Sequence, residues 1–406
     1  MSGNRPEFGV LRNLNVLCFG AAVAGPFTAC MFAENGADVI HIENTNAKDI
    51  LRQYPYAWAM EHRNMRAITA DIPQPEGRKI FEQLIQKADI FIEASKGGTF
   101  AKWGLDDEAL WKIKPNLVIV HISGYGQTGV PEYVGRASFD FTGQAFSGYA
   151  TLNGLPDMPL NAKPTLCDYV TGLQAAWAAL AALHRTKETG KGESIDVAQY
   201  EALLRLHYFF PMRYFMEGTE VKRDTNLDPV IAGKPYYKTK NDKFVSIHLG
   251  GGGPIKRGLP IIGLENDPDF SDYSTVKVGQ PRAEKYIAAI EKFCLEHTDN
   301  EIVEIMNAAK VPCSKLMTYD DMLIDPHYQA REDFVEYYSP NVNKIVKGTA
   351  PVPKFKNEPQ KIWRGGPKYG EDNQTVLLEL GYTPEEVQSM IEQKIISVER
   401  CSSIVT

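Results

Sequence analysis

Leu14-Asn-Val-Leu-Cys-Phe19, followed by Gly20-Ala-Ala-Val-Ala-Gly-Pro26 and then by Ala37-Asp-Val-Ile-His-Ile-Glu43, is the stretch on which the fold turns. Leu14–Phe19 and Val39–Ile42 are short apolar runs that read as buried strands, and Phe27–Asn35 between them reads as a helix. Strand, small-residue turn, helix and strand make up a mononucleotide-type βαβ unit. The alternation continues with strands at Asp89–Glu93 and Leu117–Ile122 and helices at Glu76–Lys87 and Asp107–Lys112. Repeated alternation of this kind predicts an α/β fold, a parallel sheet with helices on both faces. The turn after the first strand lacks the G-x-G-x-x-G spacing, so its backbone cannot approach a pyrophosphate closely, and no Walker-type loop occurs. No tightly bound NAD or FAD is therefore expected.

Working outward, Ser194–Val197 reads as a further strand and Ala198–Phe210 as a helix. Between about residues 217 and 330 the texture changes to dense Asp, Asn, Pro and Gly, as in Asn226-Leu-Asp-Pro229 and Glu265-Asn-Asp-Pro268, with a strand-like run at Phe244–His248. We divide the chain into a large domain over 1–216, a smaller α+β domain over 217–332, and a linker with a C-terminal return over 333–406. The return contains the extended segments Ala350-Pro-Val-Pro353 and Asn357-Glu-Pro359 and a helical hairpin, Glu371–Leu380 and Pro384–Ile396.

A chain of 406 residues is long enough for about two or three domains. Its 43% hydrophobic and 23% charged residues are ordinary for a soluble protein, and no apolar run approaches the roughly 20 residues of a membrane span. The first residues, Met1 to Gly9, lack the apolar core of a signal peptide, which reads as a cytoplasmic location without a membrane partner. The six cysteines form no C-x-x-C pair and the eight histidines no ligand spacing, so neither a disulfide framework nor a metal site is expected. A net charge of −7 gives no electrostatic reason to expect nucleic acid, although a local cluster of Lys and Arg can still hold an anion.

One carboxylate stands out. Asp168, in Pro164-Thr-Leu-Cys-Asp168-Tyr-Val-Thr-Gly172, precedes an alanine-rich apolar run ending near Thr186 and reads as the N-cap of a buried helix. There it would meet orphan N–H groups and the positive end of the helix dipole, and would stay ionised. Two readings remain open from the residues alone: a cap and nothing more, or a carboxylate nucleophile.

Nine short motifs occur together and in order: Ala24-Gly-Pro26 with Ala37 to Glu43, Glu93-Ala-Ser-Lys-Gly97, Ser123-Gly-Tyr-Gly-Gln-Thr-Gly129, Gln144-Ala-Phe-Ser-Gly148, Asp168-Tyr169, Gly190-Lys-Gly-Glu-Ser-Ile-Asp196, Asp325-Pro326 with Ala330-Arg331, Phe355-Lys-Asn357 and Ile362-Trp-Arg-Gly365. Through them the chain resembles the class III CoA-transferases, the CaiB/BaiF family, over nearly its whole length, with the closest likeness to carnitine/crotonobetaine and bile-acid CoA-transferases. The resemblance implies a Rossmann-like large domain, a small domain, and a homodimer of two interlocked chains. It implies acyl-CoA and a small carboxylic acid as substrates and no tightly bound cofactor. It also implies that Asp168 attacks a donor acyl-CoA thioester to give a mixed anhydride, that the CoA thiolate returns to form an aspartyl-CoA thioester, and that the acceptor acid removes CoA through a second anhydride. Backbone N–H groups at the helix start are the expected oxyanion stabilisers.

The same resemblance makes Lys96, just after a strand end, a CoA contact. Where carnitine-type relatives carry a CoA-contacting arginine, this chain has Trp103 beside Lys102, so Lys102 supplies the charge and Trp103 stacks on adenine or merely packs. Phe139 stands where many transferases have tyrosine and the related acyl-CoA racemases histidine. Phenylalanine moves no proton, which counts against a racemase or epimerase. Val23 stands where formyl-CoA relatives carry glutamine. The alternatives to a transferase are the racemase and a non-catalytic CoA-binding protein. Gly250-Gly-Gly-Gly253 reads as a plain loop or as a lid, the aromatics Tyr208-Phe-Phe210 and Tyr214-Phe215 as core packing, as an acyl pocket or as a cation–π face, and His121 as a satisfied core residue.

Overall fold

The structure, a computed structural model, describes residues 6–224 and 226–397. The opening five residues and the tail that includes Cys401 lie outside the described residues. The chain forms two compact units. Of the described residues, one unit joins 6–151, Asn161–Val221 and 332–397; the other joins Leu152–Leu160 and those in Lys222–Arg331.

In the first unit, six strands form one sheet: β1 (Asn15–Gly20), β2 (Asp38–Glu43), β3 (Arg66–Thr69), β4 (Ile90–Ala94), β5 (Val118–Ser123) and β6 (Glu193–Ala198). Their order is β3-β2-β1-β4-β5-β6, and every pairing is parallel. Side chains alternate faces along each strand, so a sheet covered on both sides needs apolar residues at every position. That is why the strands read as continuous apolar runs. Val16, Cys18, Ile90, Ile92, Val118 and Val120 enter one core with α1 (Ala24–Glu34) and the long helix over Leu166–Thr189. Leu17, Ile42, Ile68, Phe91 and Ile119 enter the other, with α2 (Pro75–Lys87), α3 (Asp107–Ile113) and the C-terminal residues Val376, Leu377 and Val387.

β3 was not legible in the sequence. It has four residues and begins with Arg66, whose guanidinium is buried at 3% exposure. The charge is answered by Asp38 at 2.7 Å and Glu379 at 2.9 Å, both remote in sequence. The helix expected over Ala198–Phe210 also divides: one helix covers Gln199–Leu204, Tyr208 turns left-handed at φ 55°, and a second starts at Phe210 with Pro211 in its first turn. Within the expected linker, Phe334–Ser339 and Lys344–Thr349 pair as an antiparallel ribbon. The closing hairpin forms over Asn373–Glu379 and Pro384–Glu392, the latter opened by a Thr383/Glu386 capping box.

At 24 residues, the helix over Leu166–Thr189 is long and apolar enough by composition to span a bilayer, contrary to the sequence expectation. Here Ala175, Ala176, Ala179, Ala182 and Leu183 bury one face in the core. Small side chains let it approach α1 closely. A Cβ added at Gly172 would lie 2.7 Å from Phe27 Cδ1 and 3.1 Å from the Ala24 carbonyl.

The second unit is α+β. Tyr237–Lys238, Phe244–Ile247 and Cys313–Lys315 form an antiparallel sheet backed by helices Ala283–Glu296 and Asp299–Ala308, with Val245, Tyr286, Ile290 and Ile302 at its centre. Of the four glycines at 250–253, Gly252 and Gly253 open a helix, and the Gly251 N–H donates to Thr275 Oγ1 at 3.1 Å.

Gly172→Val is expected to cost about 1–3 kcal/mol of stability by overpacking the α1 contact. A urea titration of the variant giving the wild-type midpoint would contradict the close approach.

Candidate active site

In an open parallel sheet, ligands collect at the carboxyl ends of the strands where the strand order reverses. Here the reversal falls between β1 and β4, and a cleft of about 390 Å³ opens there. The turn Ala21–Ala24 after β1, Ser95 and Lys96 after β4, Ser123 at the end of β5 with Gly124 after it, and the segment Arg136–Phe139 line it, together with Asp168 and Gln199.

Two helices bring Asp168 to this place: α4 (Asp140–Phe146) and α5 (Leu166–Thr189). The expected N-cap role of Asp168 does not hold. α5 begins two residues earlier, Asp168 sits in its first turn, and the N-cap Thr165 makes no side-chain cap bond. The cap comes from another helix. Asp140 Oδ1 accepts hydrogen bonds from the N–H groups of Cys167 at 2.7 Å and Asp168 at 3.2 Å, while its Oδ2 accepts from Gln144 Nε2 at 2.6 Å. Gln144 in turn accepts from the Ala162 N–H at 2.8 Å, so the loop entering α5 is tied to α4.

The side chain of Asp168 is thereby released from capping. It is 6% exposed, and its Oδ1 accepts from Gln199 Nε2, which stands at the start of α6 (Gln199–Leu204). Burial, and then the charge of Asp140, push the Asp168 carboxyl up to about 7. This reverses the expectation of a firmly ionised carboxylate. The N–H groups that would have held the charge are occupied by Asp140, which also adds repulsion. For the same reason the N–H groups of Cys167 and Asp168 are not available as oxyanion donors. Among the described residues, the one side-chain donor to the Asp168 carboxylate is Gln199 Nε2.

Of the residues picked out from sequence, Lys96 is exposed and shares the cleft with Asp168. Lys102 is exposed and does not line it. Trp103 packs edge-on against Phe19 at 5.9 Å and against Phe100 at 5.0 Å, at the margin of the core. Two further cations, Lys48 and Arg136, line the cleft and were not found in the sequence; neither lies in a pattern that singles it out. Phe139 and Val23 are both at the cleft wall. Tyr208, Tyr214 and Phe215 are 80%, 52% and 78% exposed, so these three do not pack in the core, while Phe209 and Phe210 are half-buried.

Asp140 and Gln199 escaped the sequence reading because their partners lie 28 and 31 residues away along the chain. His121 does more than fill a core. Burial lowers its basicity, but hydrogen bonds to Asp107 at 2.9 Å and Glu93 at 2.7 Å outweigh this and hold it protonated up to about 9.

The Asp168 shift has a consequence for stability. Between the ordinary carboxylate value of 3.8 and about 7, the unfolded chain releases this proton while the folded chain keeps it, so wild type loses stability as pH rises through that window. Asp168→Asn is expected to be more stable than wild type at pH 8 by about 1–4 kcal/mol, with the gap closing towards pH 4. Guanidinium unfolding at both pH values measures it, and a variant less stable at pH 8 would contradict the shift.

Residues 11–373 match the model of the CoA-transferase family III. Over 397 residues the sequence is 45% identical to the bile acid CoA-transferase BaiK of Clostridium scindens, covering 97% of this chain and 90% of that protein. A CaiB/BaiF family protein from Brucella suis is similar in structure, with a TM-score of 0.78 at 27% identity over 92% of this chain and all of that one. A hypothetical protein of Mycobacterium tuberculosis shares the fold, with a TM-score of 0.77 at 21% identity over 92% of this chain and 100% of that one.

Proposed function

This chain belongs to CoA-transferase family III and is a CoA-transferase, and on that premise we propose that it moves CoA from an acyl-CoA to a bile-acid-type carboxylate through a covalent intermediate on Asp168. The observation that carries the reading is a buried, pKa-raised carboxylate opening onto a strand-end cleft lined by Lys48, Lys96 and Arg136. Those cations suit the phosphates of CoA. The acceptor class rests on the likeness to BaiK.

Gln199 holds Oδ1, which leaves Oδ2 as the attacking atom. Oδ2 bonds to the thioester carbonyl carbon and the C–S bond breaks, giving a mixed anhydride and CoA thiolate. Oδ1 is then a carbonyl oxygen. When the thiolate attacks the Asp168 carbonyl carbon, negative charge gathers on Oδ1, where Gln199 Nε2 already points, and the donor acid leaves. The acceptor carboxylate repeats the sequence in reverse, and CoA departs on the new acyl group. Raised basicity helps the first step, because a poorly solvated carboxylate is the better nucleophile.

Two interlocked chains fit the same picture. α5 leaves Leu173, Trp177 and Leu180 exposed at helical spacing, with Trp177 at 66%, an apolar stripe suited to a second copy. We place the enzyme in the cytoplasm. A racemase finds no support at Phe139, whose ring moves no proton.

Incubation with acyl-CoA and then hydroxylamine is expected to convert Asp168 to its hydroxamate, and Asp168→Ala to lose at least about 10³-fold in exchange rate. An unmodified wild-type chain that exchanges the substrate α-hydrogen with solvent would favour the racemase. Asp140→Asn removes the neighbouring charge, lowers the Asp168 pKa and should move the acid limb of the pH–rate profile to lower pH. A limb that stays in place or moves up would refute that electrostatic role.

A further inference from the structure

Close to the cleft, the chain buries two imidazoles that form no hydrogen bond among the described residues. His41 lies on β2, and His62 caps the C-terminal end of the helix Pro55–Glu61. Both are 0% exposed, and among the described residues neither Nδ1 nor Nε2 of either ring has a hydrogen-bond partner. An imidazole always carries ring nitrogens that need an N–H acceptor or a donor, so four buried polar atoms are left unanswered, whereas buried polar groups in folded proteins are almost always paired. The rings meet edge to face with centroids 4.8 Å apart, and His62 stacks on Trp58 at 3.5 Å, so neither can swing out to water without breaking the packing.

Asp49 completes the group. It is 6% exposed, and one donor atom each from His41, His62 and Asp49 lie within 4.8 Å of one another. We propose that these three residues form a binding site for a borderline divalent transition-metal ion of zinc's kind. Two imidazole nitrogens and one carboxylate oxygen are a zinc donor set; magnesium and calcium prefer all-oxygen shells. Burial favours the neutral, lone-pair-bearing form of both rings. The neighbouring Arg52 is stacked on Trp58 at 3.7 Å and hydrogen-bonded by its Nε to Glu43 at 2.8 Å, so its charge is already met, and Asp49 supplies a further negative charge. Around a tetrahedral ion, donors stand about 3.4 Å apart, so the three must draw together modestly, and water takes the fourth position.

The ion would tie three separate segments. Asp49 Oδ1 also accepts from the Leu51 N–H at 2.8 Å and from the Ala22 N–H at 3.0 Å, and Ala22 stands in the left-handed region at φ 67° in the turn that walls the cleft. Metal bound here would brace that turn from behind. It takes no part in the acyl-transfer steps, so the transferase reading and this one stand or fall separately.

The test uses the untagged full chain, prepared without chelator. About one equivalent of zinc per chain is expected by inductively coupled plasma mass spectrometry, and Co²⁺ added to the stripped protein should give the visible d–d bands of a low-symmetry site. Zn²⁺ should also raise the melting temperature of the stripped wild type. The variant H41Q/H62Q, of similar volume, is expected to lose zinc and the cobalt bands while keeping its far-UV circular dichroism. No cobalt band and zinc below about a tenth of an equivalent in wild type would overturn the site, as would equal uptake by the double variant. If the double variant fails to fold, the wild-type cobalt spectrum alone decides.

Discussion

Asp140 lies across the start of the helix that carries Asp168, and most of the site follows from that contact. A helix of this length must have its first N–H groups answered when its start is buried. Asp140 answers two of them from a neighbouring helix. The residue that would otherwise have capped is freed to face the cleft, and is left beside another acid with little water around it. The contact that caps the helix also raises the Asp168 carboxyl. The cost is stability, since a buried carboxylate next to a second one resists ionisation, and active sites are where such costs persist.

The sheet provides the setting. With order β3-β2-β1-β4-β5-β6, the turns after β1 and β4 diverge and leave a cleft that no side chain has to be removed to make. The alanine-rich face of α5 and Gly172 let that helix lie against α1, which brings Asp168 over the turn at Ala22 and Val23. Larger residues on that face would hold Asp168 away from the strand ends. Buried charge also serves architecture: Arg66 with Asp38 and Glu379 joins an edge strand to the C-terminal hairpin.

The parts of this layout that were readable have local causes. Strands buried on both faces leave uninterrupted apolar runs, and helices between them leave a 3.6-residue period, so β1, β2, β4, β5 and the helices α1, α2 and α3 could be placed. β3 could not, because its buried arginine is neutralised by residues far along the chain. The break after Leu204 depends on how Tyr208 and Pro211 are accommodated, which the apolar pattern does not encode. Asp168 and Lys96 were marked by short motifs. Trp103 was marked as a departure, standing where relatives carry arginine, and its ring is taken up by Phe19 and Phe100. Lys48, Arg136, Asp140 and Gln199 carry no local mark, and come together around Asp168 only when separate loops and helix starts converge.

By itself, the sequence determined the α/β class, the parallel sheet and the family, because hydrophobic period and ordered motifs are properties of neighbouring residues. It also determined which carboxylate to watch. The tertiary structure alone decided that this carboxylate does not cap its helix, that its proton is held more tightly than in water, and that two histidines 21 positions apart in the chain share one dry space with Asp49. Desolvation and the pairing of remote groups are sums over space, and a linear string of residues does not contain those distances.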